Sequence, residues 1–146
     1  MSSNDTFLAY YYRKDGRPVV RIDTQQREFL RELKNAVSGL AAGETTQFEV
    51  RPSPHLFFPE EISRFTMRAS KYGRPHIKVF RPKTGKVVIL WQDSEGEWDN
   101  TLGLLEGLIE STAPAWLNFG GPFDDAELEI SLGEGRPSEL ATDASI

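Results

Sequence analysis

Only two stretches of this chain repeat apolar residues at helical spacing, and nearly all the rest either alternates or is broken by glycine and proline. That order of periodicities limits the fold. Phe29, Leu30, Leu33, Ala36, Val37 and Leu40 recur three and four apart, while Arg27, Glu28, Arg31, Glu32, Lys34 and Asn35 fill the other side. Asp23 is placed to cap this helix, with Gln26 three residues on as its capping-box partner, and Gly43 to stop it. A second helix is expected from about Asp99 to Thr112, ahead of Pro114. It would bury Leu102, Leu105, Leu108 and Ile109, with Trp98 at its start.

Strands are expected around these helices. Residues 7–13 and 18–22 are rich in β-formers and flank Lys14-Asp15-Gly16-Arg17, a strong hairpin signal. Further strands are expected near 45–51, 62–70, 76–81 and 86–92, with a last one over 126–132. Pro52, Pro54 and Pro59 force a loop through His55 to Phe58, and residues 114–125 read as another. The order predicts an α+β domain over 7–132: a mainly antiparallel, meandering sheet of six or seven strands, packed on one face by two helices. Residues 1–6 are expected to be a disordered start and 133–146 a flexible tail.

An internal echo runs through the turns. Residues 14–22 (KDGRPVVRI) match 71–79 (KYGRPHIKV), and Lys83-Thr84-Gly85-Lys86 is a weaker third copy. Duplicated hairpins would explain this, and so would similar tight turns drawing similar residues. The flanking sequence does not repeat, which favours the second explanation.

Charge is segregated along the chain. Residues 1–91 hold 16 of the 17 Lys and Arg residues against 9 of the 22 acids, a balance of +7. Residues 92–146 hold 1 base and 13 acids, a balance of −12. Such asymmetry marks a partner surface or a charged tail rather than a catalytic centre. The acidic candidates for a basic protein partner are Asp93, Glu95, Glu97, Asp99, Asp124 and Asp125, with Trp98 and Trp116 as aromatic anchors. An inhibitor of this character, such as a bacterial immunity protein that neutralises a toxin, is the first expectation. The alternative is nucleic acid. Between Ile62 and Gln92 there are eight bases and no acid, and strand alternation puts Arg64, Arg68, Lys78 and Phe80 on one face, with Lys86 nearby.

Catalysis has little support in the sequence. Zero cysteines exclude disulfides, thiolate zinc sites and cysteine nucleophiles, and neither His55 nor His76 lies in a local nucleophile or ligand motif. The acids from Asp93 onward resemble a calcium loop only loosely, because Gly96 stands fourth rather than sixth and Leu104 stands twelfth. No enzyme, cofactor or metal site is expected. The polar start and the lack of an apolar run near ~20 residues point to a cytoplasmic protein with no membrane span. Glu127 and Glu129 are expected opposite Arg64 and Arg68 in the sheet. Gly103, Gly107 and Ser111, four apart, form a small-residue stripe whose simplest purpose is close packing on the protein's own sheet.

Overall fold

The computed structural model describes residues 5–71, 76–82 and 85–133. Residues 1–4, 72–75, 83–84 and 134–146 lie outside these, and with them most of the expected disordered start and flexible tail. Eleven elements follow in order: β1 (Thr6–Tyr12), β2 (Pro18–Thr24), α1 (Arg27–Ala41), β3 (Gln47–Val50), β4 (Leu56–Phe57), β5 (Ile62–Ala69), β6 (His76–Phe80), β7 (Val87–Asp93), α2 (Glu95–Ile109), β8 (Ala115–Phe119) and β9 (Glu127–Leu132). The α+β class holds, but there are two sheets, of five strands (β4-β1-β2-β9-β8) and four strands (β3-β5-β7-β6), and both are mixed.

The expected meander fails at one place. β5 pairs in parallel with β7, and β6 lies outside them, antiparallel to β7. Parallel pairing needs a crossover and gives no local signal, so a hairpin reading misses it. The residues expected to be a loop after α2 contain β8, and Pro114 marks the start of a strand as well as the end of a helix.

The topology is a repeat. Leaving out the two-residue β4, strand-strand-helix-strand-strand occurs twice: β1-β2-α1-β3-β5 and β6-β7-α2-β8-β9. Each sheet combines the first hairpin of one unit with the second of the other, joined by a parallel pair, β2 with β9 and β5 with β7. The helices are both 15 residues long and match position by position. Leu30, Leu33, Val37 and Leu40 are buried in α1; Trp98, Thr101, Leu105 and Leu108 are buried at the same places in α2. Gly16 (φ 87°) and Gly85 (φ 81°) occupy the two hairpin turns in the left-handed region. The weaker third copy is therefore the structural counterpart of the first hairpin turn. The stronger echo is not, because 18–22 lies in the second strand of its unit and 76–79 in the first of the other.

The helices pack against each other in opposite directions. Arg27, at the start of α1, donates to the carbonyls of Ile109 and Ser111 at the end of α2 (2.9 and 2.6 Å). Lys34 meets Glu106 at 3.4 Å near the middle. Inner faces of both sheets and both helices share one core, with Phe65, Met67, Ile77, Ile89, Trp91, Leu128 and Ile130 fully buried. Trp91 packs between Trp98 (centroids 4.8 Å apart) and Phe119 (4.9 Å), with the rings tilted to one another, and ties β7, α2 and β8 together. Two helix boundaries differ from expectation. Gln26 rather than Asp23 caps α1, with no side-chain bond, because Asp23 remains in β2, paired with Arg21 at 2.8 Å. Ser94 caps α2 by accepting from the Glu97 amide, so this helix starts four residues early and carries Trp98 inward.

Gly103 and Gly107 do not pack on the sheet. A Cβ built at either meets nothing within 4 Å. Replacing each by alanine is therefore expected to stabilise the fold by about 1 kcal/mol, whereas Leu105→Ala should cost about 2–5 kcal/mol. Urea unfolding of the three variants checks both directions.

Candidate functional site

The acidic candidates are dispersed by the fold. Trp98 is fully buried, and its indole N–H donates to the Arg68 carbonyl at 3.2 Å. It anchors the core, not a partner. Asp124 and Asp125 serve the sheet edge. Asp124 accepts from the Ile77 and Gly121 amides (3.0 and 2.7 Å), and Asp125 accepts from the Val79 amide (2.9 Å) while its own amide donates to Ile77 O. They take up hydrogen-bonding groups that β6, a terminal strand, would otherwise present to another chain. Glu95 and Asp99 are exposed and Glu97 half-exposed on the first turns of α2. Trp116, half exposed, projects elsewhere, from terminal strand β8 of the five-stranded sheet.

Asp93 is 3% exposed, and its Oδ1 has no hydrogen-bond partner among the described residues. Burial, then the nearby Glu97 and, more weakly, Asp124, push its carboxyl up to about 7, against a Ser94 amide bond that favours the charged form. Within the described residues no three His, Asp or Glu side chains are grouped so as to hold a metal ion.

Glu127 and Glu129 also find different partners from those expected. β9 runs parallel to β2, which places Glu129 beside Arg21. Arg13 bonds both glutamates, at 2.9 Å to Glu127; Arg17 approaches Glu127 at 3.3 Å, and Arg21 meets Glu129 at 2.6 Å. Burial works against the Arg21 charge, but Asp23 and Glu129 more than offset it and raise its pKa. These are internal ion pairs of the five-stranded sheet.

The basic candidates are brought together. On the four-stranded sheet Phe65, Met67 and Ile77 point into the core, so Arg64, Arg68, Lys78 and Phe80 point out. A register shift between Ile62 and Arg64 turns Ile62 inward without disturbing this alternation. Pairing sets the rows. Arg64 and Phe80 flank Val88, and Thr66 and Lys78 flank Leu90; Arg68 lies beside Gln92. Phe80 is 48% exposed. Arg64 is held by Glu49 through two nitrogens at 2.6–3.1 Å, which lowers the Glu49 pKa and neutralises this corner. Arg68 bonds the neutral amide of Gln92, at 2.8 Å, and no carboxylate among the described residues. Lys78 on this face is exposed, as are Lys71 beyond the end of β5 and Lys86 just before β7. The result is a sheet face on which Arg68 and Lys78, on the strands either side of β7, have no carboxylate partner among the described residues, with the half-exposed Phe80 ring beside Val88.

No helix among the described residues is long and apolar enough to cross a membrane. One pH effect follows from Asp93. Its folded pKa lies above the ordinary value of 3.8, so the fold binds a proton that the unfolded chain has released between about pH 4 and pH 7. Its stabilising contribution is therefore complete below that window and is lost as pH rises through it, by on the order of 1 kcal/mol per pH unit. Asp93→Asn should flatten the difference in urea stability between about pH 5 and pH 8, with the gap between variant and parent widest at the higher pH. No protein-family model, curated protein or solved structure matches the chain.

Proposed function

We propose that the protein is a non-enzymatic binding module whose working surface is the exposed face of the four-stranded sheet, and that its ligand is single-stranded nucleic acid. The observation that carries this reading is the placement of Arg68, Lys78 and Phe80 on one open face, with Lys86 at its margin, while the acidic residues are divided among other tasks. A phosphate backbone supplies the charge such a face lacks, and an unstacked base supplies a partner for the Phe80 ring. A duplex hides its base faces, so the ring favours a single strand.

One observation favours a second reading. From Glu95 to Ile109 helix α2 carries Glu95, Glu97, Asp99 and Glu106 and no Lys or Arg, and Leu104 lies 48% exposed between the two open glycines. That surface suits a basic protein partner, as in an immunity-type inhibitor of a toxin.

The test is fluorescence anisotropy with a labelled single-stranded oligonucleotide of about 12 nucleotides, a length within the range that such surfaces span. Arg68→Glu with Lys78→Glu is expected to weaken binding at least tenfold. Phe80→Ala should weaken it by about 1–3 kcal/mol, and affinity should fall steeply with salt. Glu95→Lys, Glu97→Lys and Asp99→Lys together should leave binding unchanged or tighter. Absence of oligonucleotide binding, together with a stoichiometric protein partner that survives nuclease and is lost in the α2 triple variant, would replace this reading with the second.

A further inference from the structure

Strand pairing orders the outer face of the four-stranded sheet into rows of side chains. On β3 the outward residues are Gln47 and Glu49, since Val50 points into the core. One row holds Glu49, Thr66, Leu90 and Lys78. The next row toward the end of β7 holds Gln47, Arg68 and Gln92. Phe80 lies at the other end of the face, beside Val88. Val88 and Gln92 are about 13 Å apart along β7, and Phe80 and Arg68 stand on opposite sides of that strand. One base cannot touch both.

The Gln47–Arg68–Gln92 row presents fixed donors and no fixed acceptor. Gln92 is 9% exposed, and its Oε1 accepts from Arg68 Nη2 at 2.8 Å. Arginine only donates, so the oxygen end of this amide is committed to it. Arg68 is exposed, bonds no other side chain among the described residues, and keeps the remaining N–H groups of its planar fork for a ligand. Glu49, in the neighbouring row, is engaged by Arg64 and by the Thr66 hydroxyl at 2.8 Å. Gln47 is exposed on the other side of Arg68 and can turn either end of its amide, so it selects nothing. A base that meets this row must supply two adjacent acceptors. Guanine does so with O6 and N7, the pair that a guanidinium bonds through two N–H groups. Adenine sets its N6 amino group beside N7, so a donor meets a donor. Cytosine also has two acceptors on its pairing edge, but its N4 amino group points the same way and finds no fixed acceptor in the row.

We propose that Arg68, oriented by Gln92, selects guanine in a single strand bound on this face, at a nucleotide separate from the one stacked on Phe80. The inference rests on the nucleic-acid reading above and adds a base preference to it. Arg68 bonds the O6 and N7 edge of the base. Lys78, in the row between Arg68 and Phe80, serves a phosphate that links the two nucleotides. Gln92 is a positioning residue, because it acts on the base through the Arg68 guanidinium. The selection follows from which groups donate and which accept, and a surface that merely attracts phosphate would show none of it.

The probes are oligothymidines of about 12 nucleotides with one guanine, adenine or cytosine at the centre, read by fluorescence anisotropy with the whole chain. The guanine strand is expected to bind about tenfold tighter than the adenine strand. Replacing guanine by 7-deazaguanine, which has C–H in place of N7, should cancel the gain, and inosine, which keeps O6 and N7, should retain it. Arg68→Lys keeps the charge but not the fork, and should bring the ratio of guanine to adenine affinity near one, whatever it does to overall binding. Gln92→Leu should lower the same ratio by leaving the guanidinium unanchored. The base analogues need no variant, so the test stands even where a substitution unfolds the protein. Equal affinity for the guanine and adenine strands, a preference for cytosine, or a gain that survives 7-deazaguanine or Arg68→Lys would overturn the inference and leave binding by the sheet face standing. Failure to bind any of the strands would overturn the nucleic-acid reading, and this inference with it.

Discussion

Two parallel strand pairs hold this molecule together, β2 with β9 and β5 with β7. Each joins one half of the chain to the other, and without them neither sheet has its central strands. Neither half can bury its hairpins alone, because the inner face of each sheet is completed by strands from the other half. The helices repeat the arrangement, with Arg27 closing the carbonyl end of α2 and Lys34 bridging to Glu106. Folding therefore depends on contacts distant in sequence, which slows it and makes the core form as one cooperative unit.

This constraint also sets where charge can go. β9 reaches the five-stranded sheet beside β2, so Glu127 and Glu129 are neutralised by Arg13, Arg17 and Arg21. The loop before β9 lies along β6, which commits Asp124 and Asp125 to backbone amides. On the basic side, Glu49 from β3 claims Arg64 and leaves Arg68 and Lys78 without a carboxylate partner among the described residues. Part of the charge difference between the two halves is thus satisfied within the fold, where Glu106, Glu127 and Glu129 meet bases of the first half. Among the described residues, a basic sheet face and the acidic first turns of α2 stand outside these pairings.

Elements with a local signal were legible in the sequence. Helix α1, the Asp15-Gly16 hairpin and the inward and outward sides of β5 and β6 all follow from periodicity or turn chemistry. Partners were not, because side-chain alternation says which way Arg64 and Arg68 point but nothing about which strand lies beside them. The repeat was nearly hidden for a related reason. Its two units share buried positions and a turn glycine, and positions such as Leu33 and Thr101 share burial without sharing chemistry. The similar run at 71–79 is displaced from the true correspondence by the β6 strand. The roles of Asp124, Asp125 and Trp98 could not be seen before the fold, since an acid bound to a backbone amide looks in sequence like an acid on a surface.

Binding at the Arg68–Lys78 face is tested by a two-dimensional NMR titration of the whole chain with a single-stranded oligonucleotide. Shifts are expected to concentrate on β5, β6 and β7, at Arg68, Lys78, Phe80, Val88 and Leu90, and to move with fast salt-sensitive exchange. Shifts confined to the first turns of α2, or spread without a face, would contradict it.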